Sequence, residues 1–364
     1  MKIAMINTVN LEDNGITTFI IDNSILLAQN GISVTIIAPN KISSFLKRKL
    51  ELNNIKVLEI PFRSQKPLMY FRVLLKYLKK EKFNVVHVNG NSTTMSIELL
   101  AATFAGIKGR IAHSHNTTTD HPTLNKILRP LFDLVVNGRI ACNNSAGKWL
   151  FRNKQFKIIK NGIFLENYFF SKISRNNIRK KLNIKDNDIL LGHVGRFNNQ
   201  KNQEYFLKLM TSLPKKYYLI LIGNGINFDK IKCEIQKNNL ENRIILTGAI
   251  NNISSYLCAI DLFLLPSRYE GQPFTLVEST ASGLDNIVST SVPKENNIVD
   301  NISYLELNNL NMWKNSIEQY DFSNLRTNRE KRSKEFIKIL KNNGYDVETN
   351  VHDLISLYTK VGKL

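Results

Sequence analysis

Cysteine is nearly absent from this chain. The three present, Cys142, Cys233 and Cys258, are scattered without paired spacing. That argues against a disulfide framework or a cysteine-based metal site, and each lies in or near an apolar segment, as expected of buried thiols in a reducing compartment. Long hydrophobic runs are also missing. No stretch approaches the roughly 20 apolar residues that a spanning helix needs. Met1–Ile6 is short, apolar and followed by a polar loop, so it reads as a first β-strand rather than a signal peptide. A cytoplasmic protein is expected. No short repeat, low-complexity tract, zinc finger or aromatic-rich nucleic-acid motif is visible. Acidic residues are in short supply, with 30 Asp+Glu against 50 Lys+Arg and a net charge of +20. The shortfall is uneven: residues 1–165 hold 23 basic and 9 acidic side chains, net +14, and the remainder carries +6. A basic N-terminal half suits an acidic partner, either nucleic acid or an anionic membrane. Compositional drift toward Asn, Ile and Lys is the competing reading.

What is present is a succession of β–turn–α units. At 364 residues the chain exceeds the usual single core, and 43% hydrophobic content suffices for two ordinary ones. Strands are predicted at Lys2–Asn7, Val34–Ala38, Lys56–Ile60, Asn84–Val88, Arg110–Ser114, Arg139–Cys142 and Lys157–Lys160. A second series falls at Ile189–Val194, Tyr217–Ile222, Arg243–Thr247, Asp261–Leu265, Asn286–Ser289 and Ser303–Glu306. A helix over Ile16–Asn30 ends at Gly31, and the pattern is helical after Trp313. The polar, basic stretch Asn167–Asn187 reads as a connector. Alternating strands and helices predict an α/β protein with parallel, doubly wound sheets. Ligands of such sheets bind beyond the C-terminal ends of the strands. Gly15, His115, Arg196, Gly223, Gly248 and Glu270 all follow predicted strands, and two such domains facing each other would form a cleft.

Glu270 and Glu278 are the most informative pair. They lie in Pro266-Ser-Arg-Tyr-Glu-Gly-Gln-Pro273 and the helical pattern from Phe274 onward. A strand–turn–helix aims backbone N–H groups at a ligand, and a helix N-terminus favours an anion. A carboxylate on either side of a phosphate cradle suits sugar hydroxyls. Upstream, Ile189-Leu-Leu-Gly-His-Val-Gly195 is followed by Arg196 and by Gln200-Lys201-Asn202, then by Gly223-Asn-Gly225 and Thr247-Gly248.

The order and spacing of these motifs, over at least residues 155–290, resemble those of the retaining glycosyltransferases of family four, which have the GT-B fold. The resemblance implies two Rossmann-like domains facing a cleft. Residues 1–165 would form the acceptor-side domain, residues 166–340 the nucleotide-sugar domain, and residues 341–364 a helix returning to the first. It implies transfer of a hexose-type sugar from a nucleotide sugar, a UDP-sugar above all, with retention at the anomeric carbon. Ala146–Leu150, Arg110-Ile-Ala-His-Ser-His-Asn116 and Gly344-Tyr-Asp346 resemble bacterial enzymes of capsule, exopolysaccharide or O-antigen assembly. The implied acceptor is a lipid-linked glycan, and the implied location is peripheral at the inner face of the cell membrane. Arg196 and Lys201 would hold the diphosphate and stabilise its charge as it leaves. By resemblance, Glu270 contacts the donor sugar near the reacting carbon and Glu278 holds the ribose. Gly248 belongs to the same nucleotide site. Backbone N–H groups across Gly271, Gln272, Pro273, Phe274, Thr275 and Leu276, Pro273 lacking one, would meet phosphate or sugar. Gln272 replaces the Leu common in the family. Gly15, preceded by Asn14 where many relatives have a second Gly, marks the first-domain turn. His115, favoured over His113, would face the donor sugar, with His87 and His121 left structural. No cofactor is expected, the donor being a substrate. A sugar-nucleotide epimerase of the same fold is the alternative, with a basic nucleic-acid-binding protein behind it.

Lys66–Lys82 mixes Leu68, Met69, Phe71, Leu74, Leu75 and Leu78 with six basic residues, which suits either an anionic bilayer or a helix covering the first sheet. Asp186 and Asp188 spell the metal-binding Asp-x-Asp of another glycosyltransferase fold, but in this polar stretch they read as a turn, and no metal is expected. Sugar transfer should therefore survive EDTA. Activity lost to the chelator and regained with Mn²⁺ or Mg²⁺ would return Asp186 and Asp188 to the site.

Overall fold

The structure is a computed structural model that describes residues 1–12 and 15–363. Chain contacts gather into two units, one of Met1–Gly162 with the segment from Val347 on, the other of Ile163–Asp346. Each is built on one parallel sheet.

The first unit contains β1 (Lys2–Asn7), β2 (Ser33–Ala38), β3 (Lys56–Glu59), β4 (Val85–Gly90), β5 (Gly109–Ser114), β6 (Gly138–Ala141) and β7 (Lys157–Ile158). They pair in the order β3-β2-β1-β4-β5-β6-β7, so the direction of winding reverses between β1 and β4. β4 is buried along its whole length and β1 over all but its first residue, as expected of strands covered on both faces. Helices Pro67–Glu81, Ser96–Phe104 and Arg129–Val135 contribute Tyr70, Leu74, Leu78, Leu99 and Phe132 to a core shared with Ile6, Val86 and Val88. The 3.6-residue period is plain in Pro67–Glu81. Tyr70, Leu74 and Leu78 face inward, while Leu68, Met69, Arg72, Val73, Lys76, Lys79 and Lys80 are exposed. Val347–Lys363 packs on this unit through buried Val351, Leu354 and Tyr358.

The second unit contains β8 (Ile189–Val194), β9 (Tyr217–Ile222), β10 (Ile244–Gly248), β11 (Leu262–Leu265), β12 (Asn286–Ser289) and β13 (Ile302–Leu305). Their order is β10-β9-β8-β11-β12-β13, with the reversal between β8 and β11. Alternate residues feed two separate apolar layers. Leu191, Leu219, Leu262 and Leu264 join Phe206 and Trp313 on one face. Leu190, Ile220, Phe263 and Leu265 join Leu276 and Leu284 on the other.

Each strand expected from the sequence is present, with ends shifted by at most two residues. Two expectations fail. Asn167–Asn187 is no mere connector, for it holds the helix Lys172–Lys181, capped by the Ser171 hydroxyl, which accepts from the Ser174 N–H. Its polar side chains have buried partners: Arg175 and Arg179 donate to Asp261 at 2.5 and 3.0 Å, and Arg326 reaches the same carboxylate at 3.2 Å. Cys233 is exposed, while Cys142 and Cys258 are buried. The helix Phe228–Lys237 buries Ile231 and Ile235, which turns the residue midway between them outward.

Asp261 is fully buried just before β11, and its Oδ2 also accepts the Leu190 N–H at 2.9 Å. Burial alone would raise its pKa, but Arg175, Arg326 and Arg179 overcome it and hold the value at about 2. The folded value therefore lies below the roughly 3.9 of an unfolded Asp. This contribution to stability is present at neutral pH and is lost as pH falls from about 4 through about 2. Asp261→Asn should cost about 3–5 kcal/mol at pH 7, since it strands buried cations. Urea titrations across pH should show the variant losing less stability than the parent between about pH 4 and pH 2.

Candidate functional site

In the second unit, the loops after β8, β9 and β10 are laid one on another through their backbones. The Phe197 N–H donates to the Asn224 carbonyl at 2.9 Å, the Asn227 N–H to the Phe197 carbonyl at 3.1 Å, and the Gly223 N–H to the Gly248 carbonyl at 3.0 Å. This closeness requires glycine. A Cβ on Gly223 would stand 2.1 Å from the Gly195 carbonyl oxygen, and one on Gly225 2.4 Å from that of Phe197. Gly223 also has φ +134°, which side-chain-bearing residues rarely adopt.

The loops after β8 and β11, on either side of the winding reversal, are joined as tightly. The Arg268 N–H donates to the Gln200 carbonyl at 2.8 Å, and Asn202 Nδ2 to the Pro266 carbonyl at 3.1 Å. Arg268 Nη2 donates to Asn202 Oδ1 at 2.9 Å and to Glu204 Oε1 at 2.8 Å. Within this frame Lys201 and Glu270 meet, with Nζ 2.7 Å from Oε1. Both side chains are largely buried, at 15% and 6% exposure. Gln200 Nε2 donates to the Tyr269 carbonyl at 3.0 Å and to Glu270 Oε2 at 3.4 Å. The Glu270 carboxylate is thus oriented from two positions of the β8 loop. Arg196 belongs to the same loop and is exposed, and its carbonyl accepts from Gln203 Nε2 at 3.0 Å.

His193 underpins this loop from within β8. Its Nδ1 lies 2.9 Å from the Leu264 carbonyl, which only accepts, so Nδ1 carries the proton. Its Nε2 then accepts from Gln203 Nε2 at 3.3 Å. Burial, opposed by the Leu264 bond and aided by Lys201, lowers its pKa to about 3, so the ring is a neutral strut.

The turn after Glu270 leads into the helix Phe274–Ala281, whose N-cap, Pro273, offers no side-chain cap. Gly271 is buried, and its carbonyl accepts from Asn296 Nδ2 at 3.3 Å. Gln272 is buried and Thr275 half-buried. Phe274 and Leu276 are buried, and the Leu276 N–H donates back to the Pro273 carbonyl at 3.2 Å. Glu278 is 7% exposed, and its Oε1 accepts from the Tyr168 hydroxyl at 2.9 Å.

Gly15 and His115 belong to the first unit. Gly15 is the exposed first residue of the helix Gly15–Gln29; Asn14 lies outside the described residues. His115 follows β5 and is 7% exposed. Its Nε2 donates to Asn89 Oδ1 at 2.9 Å, the assignment that Asn89 Nδ2, a donor to the Ile6 carbonyl, requires. The His113 ring lies 4.0 Å away, centroid to centroid. His113 and His87 are fully buried, 3.2 Å apart between Nδ1 and Nε2, and His87 Nδ1 is 2.6 Å from the Tyr358 hydroxyl. Burial, partly offset by Asn161, lowers the His115 pKa to about 3.

Lys201 and Glu270 are therefore in direct contact, and Arg196, Gly223 and Gly248 belong to interlocked loops around them. Gln200, Asn202, Gln203, His193, Arg268 and Tyr168 were given no role from sequence. The first three lie in or beside the motif, but Tyr168 lies in the stretch read as a connector. Asp188 makes a turn, its Oδ2 accepting the Lys185 N–H at 3.0 Å. Among the described residues, no group of three or more His, Cys, Asp or Glu side chains could hold a metal ion.

Residues 13–167 match the family model Glycosyltransferase Family 4, and residues 174–312 match Glycosyl transferases group 1. EpsF of Bacillus subtilis, which carries a glycosyltransferase name, is 30% identical over 313 residues, covering 80% of this chain and 79% of EpsF. An Escherichia coli protein named UDP-Gal:alpha-D-GlcNAc-diphosphoundecaprenol alpha-1,3-galactosyltransferase is 28% identical over 265 residues, covering 67% of this chain and 68% of that one. Anabaena HepE, solved with UDP-glucose, has the same fold, with a TM-score of 0.79, 17% identity and 100% of both chains covered. The two parallel-sheet units are those of a GT-B protein. The chain belongs to the family four glycosyltransferases.

Proposed function

We propose that this glycosyltransferase moves a hexose-type sugar from a UDP-sugar to a lipid-linked glycan in bacterial surface polysaccharide synthesis, with retention at the anomeric carbon. The observation that carries the reading is the Lys201–Glu270 pair, held between the β8 and β11 loops where the winding reverses. Such a reversal point is where open α/β sheets bind their ligands. The relatives support the donor and acceptor classes: one is named for UDP-Gal and a diphosphoundecaprenol-linked sugar, and a neighbour in fold was solved with UDP-glucose. The epimerase alternative gains no support from them.

In this reading the donor diphosphate lies against Arg196 and Lys201. The bond from anomeric carbon to phosphate oxygen breaks, and the electron pair leaves with the diphosphate, whose charge the two cations stabilise. The acceptor hydroxyl forms the new bond on the same face, and its proton passes to the departing phosphate. Glu270 orients the sugar and Glu278 the ribose. Neither is a covalent nucleophile. His115, neutral at working pH, suits a hydrogen bond with a sugar hydroxyl. Thermal-shift screening of nucleotide sugars, followed by NMR of the transferred product's anomeric configuration, tests the scheme. A nucleotide sugar converted without acceptor would favour the epimerase.

The exposed face of Pro67–Glu81 supports docking on anionic membrane. Leu68, Met69 and Val73 are 76%, 45% and 44% exposed, beside Arg72, Lys76, Lys79 and Lys80. No helix among the described residues is long and apolar enough to cross a membrane.

Lys201→Ala should lower kcat roughly 10²–10³-fold, since its charge matters most as the diphosphate leaves. Glu278→Ala should raise the donor KM with little change in kcat, because ribose contacts persist from ground state to transition state. Steady-state kinetics separate the two, and full activity of Lys201→Ala removes it from the site. In co-sedimentation, anionic vesicles should retain the protein more than neutral ones at low salt, and replacing Lys76, Lys79, Lys80 and Lys82 by Gln should abolish the difference. Equal retention on both would leave the basic charge as composition alone.

A further inference from the structure

We propose that Tyr168 is the positioning residue of the nucleotide site, its phenol aiming the Glu278 carboxylate at the ribose hydroxyls. The inference rests on the reading of Glu278 as the ribose ligand. Tyr168 ends the 3₁₀ turn Leu165–Tyr168, 110 residues before its partner in the chain. Its hydroxyl donates to Glu278 Oε1 at 2.9 Å, while its half-buried ring packs on the apolar layer that includes Leu276 and Leu284. The ring fixes where the hydroxyl stands, and the hydroxyl fixes the carboxylate.

The backbone carrying Tyr168 is itself tied to the helix carrying Glu278. The Phe170 N–H donates to Ser333 Oγ at 3.0 Å, and the same hydroxyl donates to the carbonyl of Ala281, the last residue of that helix, at 2.6 Å. The next residue, Ser171, donates its N–H to Cys258 Sγ at 3.4 Å. The strap from Leu165 to Ser171 thus spans three helices and has little freedom to drift from Glu278. A Glu side chain has three rotatable bonds, and in a largely buried setting several rotamers would direct the carboxylate away from a ligand. A phenol bond to one oxygen selects among them. A carboxylate offers about four acceptor sites, and the bond from Tyr168 takes one of them.

Tyr168→Phe keeps the packed ring and deletes only the donor. Calorimetric titration with UDP and with 2′,3′-dideoxy-UDP separates aim from architecture. The parent should bind UDP more tightly than the dideoxy nucleotide. Tyr168→Phe should bind UDP roughly ten-fold more weakly, the scale of one hydrogen bond to a charged group, and bind 2′,3′-dideoxy-UDP as the parent does. The donor KM should rise similarly, with kcat within about two-fold. Glu278→Gln combined with Tyr168→Phe should be no worse than Glu278→Gln alone. Equal loss for both nucleotides would show that Tyr168 serves the fold only, and unchanged affinity for both would show that it serves neither; each overturns the inference while leaving Glu278 its role. A parent that binds the two nucleotides equally, or binds neither, overturns the ribose reading itself and this inference with it.

Discussion

The second unit depends on one buried carboxylate. Asp261 receives Arg175 and Arg179 from one helix, Arg326 from another and the Leu190 N–H from the neighbouring strand. A lone charge at that depth would be costly, and so would three unmatched guanidinium groups. Together they fasten the beginning of β11. The far end of the same strand delivers Glu270. A strand of four residues spans little more than 13 Å, so an anchor at one end limits the error at the other. Arg329, by contrast, spends its buried guanidinium on carbonyl groups, those of Leu257, Cys258, Ile260 and Ser282. These are carbonyls that end helices or lead into β11, and Arg175 Nη1 shares two of them, donating to Cys258 at 3.2 Å and to Ile260 at 3.4 Å.

The site is built by the opposite economy. Its loops are held largely by backbone and amide bonds. Lys201 and Glu270 satisfy each other while keeping 15% and 6% exposure, whereas the Asp261 carboxylate is fully buried. Under the proposed function the donor must reach Lys201, so the pair has to part. The neutral His193 beneath suits that task, because it adds no competing charge and still fixes Gln203 and, through it, the Arg196 backbone.

The strands could be read because both faces of a parallel sheet are covered. Ile189–Val194 is buried throughout, and a short run that is apolar but for Gly192 and His193, closed by Gly195, points to such a strand. The loops could be read because glycine spacing records where backbones touch, as Gly223 and Gly225 do. Tertiary partners could not be read. Arg175 and Arg179 look like solvated charges until Asp261, over 80 residues later, is brought to them. Tyr168 looks like one aromatic among many until Glu278 arrives. Local pattern reports period and turn chemistry, and it is silent on which distant side chain completes a hydrogen bond. Cys233 marks the remaining limit, since Ile231 and Ile235 flank it two residues away on either side but the helical phase places it outside.

The last helix, Val347–Lys363, has a bearing on how the molecule comes into being. It belongs to the unit that opens the chain, where Tyr358 covers His87 and Val351 and Leu354 are buried. On a ribosome, residues 163–346 all emerge before that helix does. The first unit is therefore finished after the second, and until then its β4 and β5 lack the cover of that helix. The second unit has its whole sequence in hand sooner. Vectorial synthesis thus inverts the order of completion, and the nascent first unit has the longer exposure to chaperones and proteases.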